Sequence, residues 1–233
     1  MRRVAITIGG HMRTTRLALI PWLAAAGLLA AAGGAAAQET PPEHLPIGRF
    51  VADARVAFPK FKDDQAIASA IGVTLPNLPG RAFGLVAGAH WYPVRLGRVT
   101  FGLGGEVLVA RRGRTIDTGT EDEPAQTTVN ARFSALSPQI SFNFGSRDGW
   151  SYISGGIGVS TFTTERADAP LPDQESRSKT INYGGGARWF AKRRLALSLD
   201  LRFYAVNPQE ATSVRPGFPR MTLMAFNVGA AFR

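Results

Sequence analysis

The amino-acid sequence predicts an all-β protein, an eight-stranded antiparallel up-and-down barrel, and three observations predict it. Apolar and polar residues alternate with period two through most of the chain, as they do in strands whose two faces meet different surroundings. The segments between those strands alternate long and short without a break. The sequence closes on RMTLMAFNVGAAFR, Arg220 to Arg233, an alternating strand with the aromatic Phe232 one step from its end.

Residues 1–37 are set aside before the fold is read. Arg13 and Arg16 precede an apolar stretch, Leu17 to Ala32, which runs through Gly33 and Gly34 into Ala35-Ala36-Ala37, a small-residue cleavage site before Gln38. A basic flank, an apolar centre and small residues at the cut make a secretory signal peptide. Pro21, the Ala/Gly content and the lack of a stop-transfer cluster speak against a membrane anchor. A complete leader also follows Met12, which offers itself as the start, with Met1 to His11 as an extension and Arg2-Arg3 no twin-arginine signal. Residues 38–48, rich in Pro and polar groups, read as a periplasmic linker, and 49–233 as a single barrel domain of ordinary size.

Composition excludes several function classes. With no cysteine there is no disulfide, no thiolate metal site and no Cys nucleophile. The chain has 27 Lys+Arg against 17 Asp+Glu; the leader takes four of the basic residues and leaves 23 against 17, a net +6. That excess is scattered through turns and strands instead of gathering on one face, so nucleic acid is not an expected partner.

The strands are expected near 49–58, 81–92, 98–111, 129–144, 150–162, 179–190, 195–206 and 220–232. The first has Phe50 and Phe58 on its apolar face and Asp53 and Arg55 on the other; the second sets Trp91 against Gly88, His90 and Tyr92. The third carries Gly102-Leu103-Gly104-Gly105 before Glu106, and glycine inside an alternating segment suits a curved, closed sheet. In the fourth, Leu136, Pro138, Ile140, Phe142 and Phe144 oppose Ser137, Gln139, Ser141 and Asn143. Above Ala135 the apolar residues fall instead on Val129, Ala131 and Phe133, which predicts a bulge or an extension beyond the membrane. The fifth strand holds Tyr152 and Gly155-Gly156-Ile157-Gly158, and the sixth sets Ile181, Tyr183, Gly185, Ala187 and Trp189 against Asn182, Gly184, Gly186 and Arg188. The seventh is the clearest: Leu195, Leu197, Leu199, Leu201 and Phe203 on one face, Ala196, Ser198, Asp200, Arg202 and Tyr204 on the other. On the eighth, Met224, Phe226, Val228, Ala230 and Phe232 oppose Ala225, Asn227, Gly229 and Arg233.

Strand length favours a bilayer. Most of these segments reach ten residues or more, against about 5–6 in soluble proteins and about 9–11 for a tilted membrane strand. The apolar faces end in aromatics, as interfacial girdles do, while the polar faces carry Gly, Ser, Asn and isolated charges where a solvated face would carry dense Lys and Glu. The apolar set therefore faces lipid and the polar set the lumen. The alternative is a soluble, lipocalin-like periplasmic lipid carrier with the Leu/Phe face inward. Long external loops alternating with short periplasmic turns put both ends of the domain in the periplasm.

With that orientation Asp53, Arg55, Glu106, Arg188, Asp200 and Arg202 face the lumen. An eight-stranded barrel is wide enough only for side chains to fill it, and an unpaired buried charge costs several kcal/mol. These groups are thus expected to pair into a plug narrowed by Tyr92, Tyr152 and Tyr204; a narrow small-solute channel is the competing reading. His90 joins them on the polar phase, as a member of a lumen hydrogen-bond network or as the histidine of a lipid-modifying enzyme with a Ser and Glu106 nearby. No HExxH and no GxSxG occurs, and the Gly-rich patches lie within strands and do not open phosphate-binding helices. No cofactor or metal is expected, and the protein reads as non-enzymatic.

Among the loops, Asp63 to Gly72 is an Asp-capped, Gly-terminated stretch of two helical turns that would rest on the barrel rim. Acidic loops carry Asp117, Glu121, Asp122 and Glu123, then Glu165, Asp168, Asp173 and Glu175. They read first as solvated loops and second as sites for divalent cations bridging lipopolysaccharide. Lys192-Arg193-Arg194 reads as a charge anchor in a short turn.

Leader, eight alternating strands, loop order and terminal Phe232 together resemble the small outer-membrane β-barrels, the group that includes the transmembrane domain of the outer-membrane protein A type and the opacity-like adhesins. The resemblance covers nearly all of the chain after the leader, and its motifs are patterns of residue class. It implies a structural or surface-interaction role in the outer membrane of a Gram-negative-type bacterium. It also implies contact with outer-membrane lipid and lipopolysaccharide, and recognition of the C-terminal strand by the barrel-assembly machinery. The family's last strand usually ends on Phe itself, whereas Arg233 follows here; larger members add a peptidoglycan-binding domain, for which no sequence remains.

Overall fold

A computed structural model describes residues 46–119, 125–170, 177–211 and 217–233. The expected signal peptide, the expected linker up to residue 45, His11, His44, Glu121, Asp122, Glu123, Asp173 and Glu175 lie outside the described residues.

Eight strands close into one antiparallel barrel in sequence order. They are β1 (Phe50–Lys60), β2 (Phe83–Leu96), β3 (Val99–Asp117), β4 (Gln126–Ser146), β5 (Gly149–Arg166), β6 (Ser178–Phe190), β7 (Leu195–Val206) and β8 (Met221–Phe232). Each strand pairs with its neighbour in sequence, and β1 pairs with β8 from Ala52↔Phe232 to Lys60↔Met224, so no edge is left. Two of the three short connections are tighter than the sequence suggests, and the third, residues 191–194, is as expected. β2 and β3 meet at Gly97 and Arg98, with Gly97 at φ 59, a left-handed conformation that favours glycine. Long and short links nevertheless alternate all the way round.

Alternation sets the two faces. Leu197, Leu201, Met224, Phe226 and Phe232 are exposed on the outside, and Leu195, Leu199, Phe203 and Val228 half-exposed, while Ser198, Asp200, Arg202 and Asn227 are buried within. Phe50, Phe58, Trp91 and Trp189, at the ends of the apolar faces, are about half exposed at 55, 47, 53 and 51 %. An outer surface this apolar is costly against water and stable against hydrocarbon, and closing the sheet leaves no backbone group unpaired at an edge. The barrel is therefore a transmembrane one.

The expected bulge in β4 is not there. Its register with β3 runs unbroken from Val99↔Phe144 to Asp117↔Gln126, and Val129, Ala131 and Phe133 stay on the inward phase that Ser137, Gln139 and Ser141 occupy lower down. What changes above Ala135 is the filling of the lumen, from polar to apolar, and not the phase. The strand also runs on to 21 residues, the extension that the sequence offered as its other reading. The one shift between β2 and β3 falls between Trp91 and Val94, where Pro93 has no N–H to donate to a ladder.

The first long link forms helix α1 (Gln65–Ala70), whose Asp64 side chain accepts from the Ala66 N–H at 2.9 Å. Ile67 and Ala68 on this helix are buried in a cluster with Phe61, Leu78, Phe133, Phe162, Phe218 and Leu223. The helix thus closes the long-loop mouth of the barrel and does more than rest on its rim.

Candidate functional site: the charged lumen

Inside, the barrel is filled in three tiers. At the long-loop end lies the apolar cluster under α1. At the short-turn end Ile47, Val51, Tyr92, Trp150, Tyr152, Ala196 and Ala231 form a second, with Phe190 packed against it at 5.2 Å from Trp150. Between them sit all seven of the lumen residues named from the sequence, Asp53, Arg55, His90, Glu106, Arg188, Asp200 and Arg202, each buried.

Strand alternation brings these side chains to one interior, and the small diameter brings them to one another. Asp53 and Arg55 on β1 sit two residues apart on the same face, and Arg55 Nε lies 2.8 Å from Asp53 Oδ1. The same guanidinium reaches Glu106 of β3 at 2.9 Å and Asp200 of β7 at 3.2 Å, so it is the hub of all three carboxylates. Arg202 spans the other way, to Glu106 at 3.1 Å and Asp200 at 2.9 Å. Arg188 of β6 crosses the lumen to donate to Asp53 Oδ2 at 2.6 Å. Three guanidiniums thus meet three carboxylates, and with a neutral His90 the network carries no net charge.

Neutral donors and acceptors extend it. The Tyr152 hydroxyl donates to Asp200 at 2.9 Å, the Tyr204 hydroxyl to Glu106 at 2.8 Å and the Asn227 amide to Asp200 at 2.8 Å. Arg202 also donates to Ser154 and Asn182, and Arg188 to the Tyr92 hydroxyl at 3.1 Å while lying over the Tyr152 ring. Glycine on the facing positions makes room: a Cβ at Gly186 would stand 2.7 Å from the Tyr152 hydroxyl, and one at Gly102 2.8 Å from the Tyr92 ring.

His90 sits at the margin of this network. Its Nδ1 is 3.9 Å from Asp53 Oδ2 and its ring stacks on Tyr92. Among the described residues no serine hydroxyl is hydrogen-bonded to it, and Glu106, its proposed acidic neighbour, is taken by Arg55, Arg202 and Tyr204. No group of three or more His, Asp or Glu among the described residues is disposed to hold a metal ion. The apolar tiers went unread in the sequence, although their signal was present: Val129, Ala131 and Phe133 of β4, read as a slip of phase, are interior residues.

A closed eight-stranded antiparallel barrel, apolar outside and charged inside, is the architecture of outer-membrane β-barrels. Solved structures with a similar fold include Ail, the attachment invasion locus protein of Yersinia pestis, at 11 % identity and TM-score 0.48 over 80 % of this chain and 98 % of that one. Outer membrane protein OprG from Pseudomonas aeruginosa is similar at 11 % identity and TM-score 0.46 over 81 and 96 %. Neisserial surface protein A is similar at 12 % and 0.45 over 78 and 96 %. At such identity the likeness is one of fold alone. No family model and no curated protein matches the sequence.

Proposed function

We propose that this outer-membrane barrel is a non-enzymatic structural or surface-interaction protein whose lumen is permanently plugged, with its short turns in the periplasm and its long loops at the cell surface. One observation carries the reading: a charge-balanced, hydrogen-bonded network fills the middle of the lumen, and packed apolar side chains close it above and below. Opening a path would mean separating buried ion pairs, at about 3–5 kcal/mol for each one broken, and removing two apolar layers as well. The partners that follow are lipid and lipopolysaccharide around the wall, and the barrel-assembly machinery at β8. Whatever binds from outside would meet the long links, where function concentrates on a rigid scaffold.

Planar-bilayer recordings of the purified protein test this reading. The expected record is flat, without single-channel steps. Steady unitary conductance would establish the narrow channel instead. In parallel, mass spectrometry of lipid A from cells expressing the protein should show no new species; a modification lost on His90→Ala would establish the lipid-modifying enzyme.

A further inference from the structure

The outward face changes chemistry abruptly where it reaches the long-loop end. On β1 the apolar series ends at Phe58 and the next outward residue is Lys60; on β2 Phe83 is preceded by Arg81. On β3 Val109 is followed by Arg111, and on β4 the outward phase above Leu136 passes Ser134 to Arg132. All four cations are exposed, and the sheet makes them one patch. Lys60 is bridged directly to Arg81, and Arg111 stands directly opposite Arg132, while Phe83 opposite Arg111 brings the two pairs together diagonally.

Like charges directly opposite on one face stand about 5 Å apart at Cβ and destabilise the sheet. Here that happens twice on adjacent strands, and the carboxylate of the nearby Asp64 is paired with Lys62. Immediately below lie Phe58 and Phe83 in edge contact at 5.9 Å, with Val109 beside them, all lipid-facing. A ligand that suits both halves is an amphiphile with closely spaced anionic groups on an apolar body.

We propose that Lys60, Arg81, Arg111 and Arg132 form a lipopolysaccharide site, holding the two phosphates of lipid A while its acyl chains lie on Phe58, Phe83 and Val109. The assignment rests on the surface placement of the long loops proposed above. Lipid A then places anionic groups against both like-charge pairs. The site also makes the extracellular leaflet a structural component of the barrel wall on the β1 to β4 side.

The test uses the full chain folded into phosphatidylcholine vesicles containing diphosphoryl lipid A, dephosphorylated lipid A or neither. The readouts are the temperature at which the compact gel band converts to the unfolded one and the lipid retained on native mass spectrometry. Diphosphoryl lipid A should raise that temperature and stay bound; dephosphorylated lipid A, and inorganic pyrophosphate added to plain vesicles, should do neither. At about 1 kcal/mol for each cation near an anionic surface, R111Q/R132Q should weaken lipid A retention roughly thirtyfold. In plain vesicles it should melt no lower than the parent, because its repulsion is gone. R95Q/R98Q, in the short-turn hairpin, should behave as the parent. Equal responses to phosphorylated and dephosphorylated lipid, or to lipid A in R111Q/R132Q and the parent, overturn the site. A pyrophosphate response equal to that of lipid A overturns its assignment to a lipid. A compact, heat-modifiable parent without lipid A preference removes this site alone, whereas a parent that never forms the compact band removes the membrane reading and the site together.

Discussion

The middle of the lumen and its two ends are lined by the same strands in the same phase, yet they are held by opposite physics. In the middle, Arg55 touches Asp53, Glu106 and Asp200, and stability depends on every charge keeping its partners. At the long-loop end Phe61 meets Phe162 at 5.4 Å and Phe133 meets Tyr204 at 5.5 Å, so stability depends on filled volume. Position on a barrel strand therefore decides which side a residue faces, while height decides what it must pack against. Tyr204 joins the tiers, with its ring on Phe133 and its hydroxyl on Glu106.

The largest effect is expected where one change strands several charges. Arg55→Ala leaves three buried carboxylates short of a partner and should cost about 3–5 kcal/mol in equilibrium urea unfolding from lipid vesicles; a loss under about 1 kcal/mol would show that the middle tier does not depend on its ion pairs. Phe133→Ala removes a ring from the apolar tier and should cost about 3 kcal/mol by the same measurement. The distinguishing sign is that enlarging it again to Leu or Met restores most of the loss, whereas Arg55→Met, apolar and of similar length, should not. Ile67→Ser, on the helix that closes the mouth, should cost about 1–2 kcal/mol and speed amide exchange in α1, with the β7 and β8 amides unchanged.

The smallest effect belongs to an ion pair of the exposed kind. Arg166 and Asp168 lie 2.5 Å apart at the head of β5, and the hydrogen bond from the guanidinium lowers the Asp168 carboxyl to about 2. A depressed carboxyl contributes stability that is present above its ordinary value near 4 and is lost as the pH falls through about 2. Titration followed by carbonyl NMR should give that low midpoint, and Arg166→Gln should return it towards the ordinary range with only a small loss of stability in unfolding, as for an exposed, solvent-screened pair. A marked loss of stability in that variant would blur the contrast between exposed and buried pairs.

Period two was enough to identify the strands, their inward and outward sets and the seven lumen residues, because in a closed sheet facing is a property of parity alone. Partnership was not legible. Arg188 reaches Asp53 across the lumen from 135 residues away, and that contact depends on barrel diameter and stagger, which no local pattern encodes. The apolar tiers were missed because Val129, Ala131 and Phe133 look like outward residues when lipid is taken as the only apolar surrounding. The cationic patch was missed for a related reason: Arg111 and Arg132 are 21 positions apart in the chain, and only the β3–β4 register shows them to be opposite.

The seam between β1 and β8 makes the wall a ring, in which no strand is first or last. Gly48 and Arg233 are neighbours there, since a methyl added at Gly48 would touch the Arg233 side chain at 3.8 Å. Arg233 also donates to the backbone carbonyls of Arg193 and Arg147, in two different turns. The two ends of the barrel are thus close enough to be fused by a short spacer, and the polypeptide reopened within the β3–β4 link, without changing a single ladder partner. Such a circular permutant would emerge from synthesis with β4 leading and β3 trailing, and it would separate the order of strand delivery from the geometry that strands finally adopt.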